Sequence, residues 1–166
     1  MEMNILKEIF KAKDKAKAIG ATLYPDKIIL ATENKVKDGF WIVTDQVSIL
    51  PTDIDDSDLG EAVRKHLTLS KTDVPNPKGQ VEFKQNRDRY KKAIGFRSEK
   101  QIMEGARYIS IIEENSTLVI SSTKNGGTSG DQKGHHYLPE SIVKFPKEIS
   151  NQGLAQNIKL AWSKCV

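Results

Sequence analysis

The chain has 166 residues, 37% of them hydrophobic and 29% charged, with a formal net charge of +4. That balance excludes a disordered chain and points to one soluble domain with a real core, while no apolar run approaches the roughly 18 residues of a membrane helix. The single cysteine, Cys165, excludes an internal disulfide and fits a reducing cytoplasm. The mild positive charge permits a nucleic-acid partner without arguing for one.

The pattern from Asn4 to Ala18 predicts a helix, with Ile5, Leu6, Ile9 and Phe10 on one face, lysines largely off it, and Gly20 as its terminator. Its alternation of charge and apolar residues is unlike a signal peptide. Extended segments follow at Ala21–Tyr24 and Ile28–Thr32, then a polar loop whose Asp38-Gly39 pair signals a hairpin. Phe40–Leu50 reads as a long strand that Thr44-Asp45-Gln46 can break in two. Phe40-Trp41-Ile42-Val43 is too apolar for an exposed edge, so both aromatics are expected in the core.

Asp55 is the expected N-cap of the next helix, with acidic residues in its first turn and Leu59, Ala62, Val63, His66 and Leu67 as its apolar stripe. The pattern then fades into PNPKG, a linker. From Asn86 to Tyr108 the chain is basic, with Arg87, Arg89, Lys91, Lys92, Arg97, Lys100 and Arg107. A short helix is expected around Tyr90–Ile94, closed by Gly95, and a second is signalled by the capping-box pair Ser98 and Gln101. Strands at Tyr108–Ile112 and Leu118–Ser122 precede a glycine-rich loop, Thr123–Gly134. A long strand, His135–Phe145, interrupted at Pro139, leads to a last helix over Asn151–Ser163.

The stretch from Gly39 to Leu67, GFWIVTDQVSILPTDIDDSDLGEAVRKHL, aligns without gaps on Gly134 to Trp162, GHHYLPESIVKFPKEISNQGLAQNIKLAW. Pro51 falls on Pro146, Asp55 on Ser150, Leu59 on Leu154, Val63 on Ile158 and Leu67 on Trp162. The expectation is an α+β fold of a duplicated unit, three to four antiparallel strands then a helix, twice. It forms a single domain over 1–166, with halves at about 21–70 and 108–164 and a helical connection at 71–107.

No catalytic constellation emerges. The glycine-rich loop lacks the lysine and hydroxyl ending of a phosphate cradle. His135 and His136 are adjacent and so point to opposite faces of a strand, and no serine or cysteine sits in a nucleophile motif. The expectation is a non-enzyme without metal or cofactor. The cluster Asp53, Asp55, Asp56, Asp58 and Glu61 reads as a cap and dipole complement, as a surface for a basic partner, or as a metal site, though it lacks the glycine and spacing of a calcium loop. Phe83, Tyr90 and Phe96 among the basic residues could offer bases a stacking surface, but a solvated linker helix with inward aromatics is the favoured account of them.

Several blocks in order carry a family resemblance: GFWIVTDQVSILPTDIDDSDLGEAVRKHL, VPNP, YKKAIGFRSEKQIMEGARYISI, STKNGG and HYLPE. They resemble the immunity proteins of contact-dependent growth inhibition (CDI), the CdiI class, from about Lys17 onward. The resemblance implies a cytoplasmic bacterial inhibitor that binds the C-terminal toxin domain of a CdiA-type effector, typically a nuclease. It also implies a likeness to the Whirly fold, with each long strand broken, at Asp45–Gln46 and at Pro139–Glu140. Because a basic nuclease surface is met best by carboxylates, the candidate toxin-binding residues are Asp53, Asp55, Asp56, Asp58 and Glu61. Lys124, Asn125 and Asp131 of the loop join them. The rival reading is a single-stranded nucleic-acid-binding protein on a Whirly-like scaffold, using Arg87 to Lys100 or the sheet faces.

Overall fold

A computed structural model describes residues 15–166. The strands are β1 (Lys17–Leu23), β2 (Ile28–Lys35), β3 (Trp41–Leu50), β4 (Arg107–Glu114), β5 (Thr117–Asn125), β6 (His135–Tyr137) and β7 (Val143–Pro146). The helices are α1 (Asp56–Leu69), α2 (Gly79–Ile94), α3 (Glu99–Met103) and α4 (Asn151–Lys164). All seven strands join one antiparallel sheet, in the order β3-β2-β1-β4-β5-β6, with β7 also on β5. The fold is α+β.

Alternation along the strands sends one set of side chains to each face. Ile19, Ala21, Ile28, Leu30, Ile109, Ile111, Leu118 and Ile120 meet the apolar stripes of α1 and α4 in the main core. The stripe residues Leu59, Val63, His66 and Leu67 are buried as their spacing predicts. His66 is tied between two strands, with Thr32 Oγ1 at 2.8 Å from Nδ1 and Ser48 Oγ at 2.7 Å from Nε2. On the second face, Ile29, Ala31 and Tyr24 pack against Tyr90, Ile94, Ile102 and Ala106 of the connecting segment.

The aligned stretches behave alike. α1 and α4 each have 14 residues, capped by Asp55 and Ser150. Ile54 N–H donates to Pro51 O at 3.2 Å and Ile149 N–H to Pro146 O at 3.1 Å. Gly39 and Gly134 both open their hairpins at positive φ, +93° and +89°. The long second strand is split, as Pro139 signals, by a single 3₁₀ turn at Pro139–Ser141.

Several expectations are corrected. The predicted Asn4–Ala18 helix lies mostly outside the described residues. Its end does not hold, since Lys17, Ala18 and Gly20 belong to β1. Gly20 sits mid-strand because a ring covers it: a Cβ there would lie 2.6 Å from Tyr108 Cε2. β3 is the outermost strand despite its apolar start, with Phe40 exposed and Trp41 half-buried. α2 shields that edge: Asn86 Nδ2 donates to Val43 O at 2.8 Å and Phe83 stacks on Phe40 at 6.1 Å. Thr44-Asp45-Gln46 does not break the strand; it forms a bulge opposite Thr32, whose carbonyl accepts from Thr44 Oγ1 at 2.8 Å. The helix expected around Tyr90–Ile94 begins at Gly79, because its first turns are polar and carry no periodic signal. Thr123–Asn125 extend β5 rather than open the loop.

α1 and α4 lie against each other at a glycine. A Cβ on Gly60 would fall 2.1 Å from Asn151 O. Beside it, Arg64 donates to Asn151 Oδ1 at 2.8 Å, to Lys147 O at 2.7 Å and to Ile149 O. The G60A variant is therefore expected to destabilise the protein by about 1–3 kcal/mol through overpacking, outweighing the ~1 kcal/mol that alanine gains in helix propensity. Urea unfolding of both proteins measures this, and equal or higher stability of G60A contradicts it.

Candidate functional site

On the second face, helical cover from the connecting segment is centred on the β1–β3 side. Where it ends, a cleft of about 170 Å³ opens, lined by Glu33, Arg87, Tyr90, Tyr108 and His135. Gly20 forms part of its floor.

Each group arrives there by strand alternation and register. On β2, Glu33 follows Ile29 and Ala31 at period two, so a carboxylate takes an inward position of an apolar strand. β1 and β4 pair with Gly20 opposite Ser110 and Thr22 opposite Tyr108. The Tyr108 ring thus reaches across glycine to β2, where its hydroxyl donates to Glu33 Oε1 at 2.8 Å. The His135 ring packs on Tyr108 with centroids 5.0 Å apart, and the phenol of Tyr137 lies beside Ser110 and Tyr108. From α2, Arg87 packs over Tyr90 at 5.2 Å and is bound to both Glu99 oxygens, Nε to Oε1 at 2.9 Å and Nη2 to Oε2 at 2.7 Å.

Electrostatics in the cleft favour neutral forms. Burial pushes the Glu33 carboxyl above its ordinary value, opposed by the hydrogen bond from Tyr108. Burial, reinforced by Glu33, holds the Tyr108 phenol protonated. Burial, then Arg87 and His136, pushes His135 down to about 4.

The sequence-derived candidates separate into two places. Asp53, Asp55, Asp58 and Glu61 are exposed around the start of α1. Asp55 is committed as the cap, accepting from Ser57 N–H at 2.8 Å. Asp56 pairs with Lys159 of α4. Lys124 and Asp131 are exposed at the end of β5 and in the following loop, with Lys124 paired to His136 of β6. Asn125 is internal glue: its Nδ2 donates to Met103 O at 2.6 Å and Ala106 O at 3.1 Å, and its Oδ1 accepts from Gly127 N–H at 2.9 Å. Among the described residues no cluster of three His, Cys, Asp or Glu side chains could hold a metal.

The basic segment is only partly available. Tyr90 is buried and Phe96 packs edge-on against Tyr24 at 5.4 Å. Lys84 and Lys91 pair with Asp88, and Arg87 with Glu99. Phe83 remains exposed on Phe40. Sequence reasoning missed Glu33, Tyr108, Tyr137 and the cleft role of His135. The one local signal was a carboxylate in phase with buried residues of an apolar strand.

The fold is an α+β scaffold, one seven-stranded antiparallel sheet with helices on both faces. The model of the CDI immunity protein family, CdiI, matches residues 15–165, and the chain belongs to that family. Two solved structures share its fold. A protein of unknown function from Neisseria meningitidis is 18% identical, with a TM-score of 0.78 over 93% of this chain and 98% of that one. A CdiA-CT/CdiI toxin and immunity complex from Yersinia pseudotuberculosis is 17% identical, with a TM-score of 0.72 over 93% of this chain and 99% of that one. No curated protein matches the chain.

The conspicuous blocks of the family resemblance serve the scaffold. Gly39 makes a turn, Gly60 and Arg64 join the helices, Gly105 passes Pro25 at positive φ, and Asn125 ties the loop to the connection.

His135 also sets a pH response. Its folded-state value lies below the ordinary 6.5, at about 4, so its stabilising contribution is present above pH 6.5 and is lost as pH falls toward 4. Glu33, raised from 4.5, acts in the opposite sense: its contribution is complete below that value and is lost as pH rises through the folded-state value. The expected outcome for His135→Asn is a shallower loss of stability between pH 6.5 and 4, measured by urea midpoints at several pH values. Parallel profiles for the two proteins contradict it.

Proposed function

We propose that this protein is the immunity partner of a contact-dependent growth inhibition system. It binds the C-terminal toxin domain of the cognate CdiA-type effector in a one-to-one complex in the bacterial cytoplasm and blocks it. The observation that carries this reading is the family match over residues 15–165, and the likeness in fold to a chain of a solved toxin and immunity complex supports it. In this reading the toxin is a nuclease and the immunity protein is not an enzyme. The chain is one domain, and its halves derive from a duplicated, Whirly-like unit of strands and a helix. The matched caps, turns and helix lengths of the two halves support that descent.

Silencing a toxin demands tight binding, with a dissociation constant of about 1 nM or below, near −12 kcal/mol, and an interface of roughly 1,600 Å² provides enough surface for it. The candidate contacts are of two kinds. Asp53, Asp58 and Glu61 are exposed and outside the ion pairs among the described residues, forming an acidic ridge suited to steering a basic toxin surface. Lys124 and Asp131 are exposed at the loop after β5. Asp55, Asp56 and Asn125 serve the fold first.

The test is titration of the protein with the toxin domain encoded immediately upstream, at two salt concentrations. One-to-one nanomolar binding with loss of toxin activity is expected. Absence of binding, with single-stranded nucleic acid retained through purification, overturns the reading. An Asp58→Lys/Glu61→Lys variant is expected to slow association several-fold at low salt, with little change in dissociation. An unchanged on-rate and salt dependence removes the acidic ridge from the interface.

A further inference from the structure

The cleft around Glu33 has a size and chemistry that select a guest. At about 170 Å³ it lies below the roughly 300–1,000 Å³ of sites that hold drug-sized molecules. A guest of one side chain's dimensions is what it can admit. Glu33 Oε1 already accepts from Tyr108. Oε2 has no hydrogen-bond partner, and the carboxylate no ion pair, among the described residues. The walls are aromatic, with Tyr90, Tyr108 and His135 around the carboxylate. Tyr90 already carries Arg87 on its ring and Tyr108 packs on His135, so these walls offer the apolar stem of a long cationic side chain its contact. The one cation in the lining, Arg87, is spent on Glu99 through two hydrogen bonds and on the ring of Tyr90. An anionic guest would have to compete with Glu99 for the Nε and Nη2 edge of Arg87.

We propose that this cleft receives one lysine or arginine side chain of the toxin domain, which seats its charged head on Glu33 Oε2 between the rings of Tyr90, Tyr108 and His135. The inference rests on the immunity reading above and names the partner's chemistry within it. A buried charge left without its partner is costly, so the empty cleft favours a protonated Glu33 and the guest restores the ionised form. The groups facing Glu33 are the phenols of Tyr108 and Tyr137 from the neighbouring half, and Arg87 and Tyr90 from α2. Both tyrosines on the sheet stay protonated, and His135 stays neutral above about pH 5, since it titrates at about 4. Binding therefore releases a proton from Glu33, and affinity rises with pH across the range in which that carboxyl titrates.

Glu33→Gln is the decisive variant, because its amide oxygen still accepts from Tyr108 and the fold is retained, which a thermal melt verifies. Two arms are read. In the first, n-butylammonium and methylguanidinium are titrated into the isolated protein while ring resonances of Tyr108 and His135 are followed by NMR. Shifts are expected in the wild type and not in E33Q, and none with acetate. In the second, the upstream-encoded toxin domain is titrated against both proteins at pH 5 and pH 8. E33Q is expected to bind at least tenfold more weakly at pH 8 and to lose most of the pH dependence. Wild-type affinity in E33Q overturns the proposal, whatever the small cations do, and so does the absence of any shift with them. Failure of the wild-type protein to bind the toxin at all sinks the immunity reading itself, an outcome distinct from a cleft that the toxin ignores.

Discussion

The pairing of β1 with β4 is the contact on which the rest depends. It runs unbroken from Lys17 opposite Glu113 to Leu23 opposite Arg107 and joins β1–β3 to β4–β7 in one sheet. Any slip by one residue would turn Ile19, Ala21, Ile109 and Ile111 away from α1 and α4. The same register places Gly20 beneath Tyr108. Without a side chain at that point, the ring lies flat across β1 and its hydroxyl reaches Glu33. One register thus fixes the core on one face and the cleft on the other.

The two halves are closed by a second device, on the helical side. Gly60 lets α1 approach the backbone at Asn151, and the Arg64 guanidinium saturates carbonyls of the segment that leads into α4. A helix start leaves N–H donors that need acceptors, and Ser150 Oγ accepts from Gly153 N–H, while Arg64 donates to the carbonyls of Lys147 and Ile149 just before it. The helices therefore work as one layer. The connecting helices pack mainly on the β1–β3 side of the opposite face, so the two sides of the sheet differ there although their strands and helices match.

Much of the fold was legible because its signals are local. Asp55 and Ser150 announce their helices by capping chemistry, Pro139 announces the break in the long strand, and the apolar stripes fix which faces turn inward. β3 was misjudged for a non-local reason: a strand's hydrophobicity does not say whether a neighbouring strand or α2 covers its edge. The start of α2 was lost because its polar first turns are stabilised by position, with Lys78 N–H held by Glu82 rather than by an apolar stripe. The cleft was illegible for the same kind of reason. Glu33 and Tyr108 are 75 residues apart, and only the register of β1 on β4 brings them together. The acidic residues around Asp55 were conspicuous in the sequence, yet Asp55 and Asp56 turn out to hold the fold. A residue type repeated in a cluster attracts notice, whereas single polar groups spread over three strands and a helix do not.

Immunity is a property of living cells, and protection is its most direct measure. The toxin domain encoded upstream is expressed from an inducible promoter in a bacterium, with and without this protein. The account predicts growth arrest by the toxin alone and full growth when the protein is present, with loss of protection when the toxin comes from an unrelated system. Equal arrest with and without the protein, although both chains are made and folded, would contradict it.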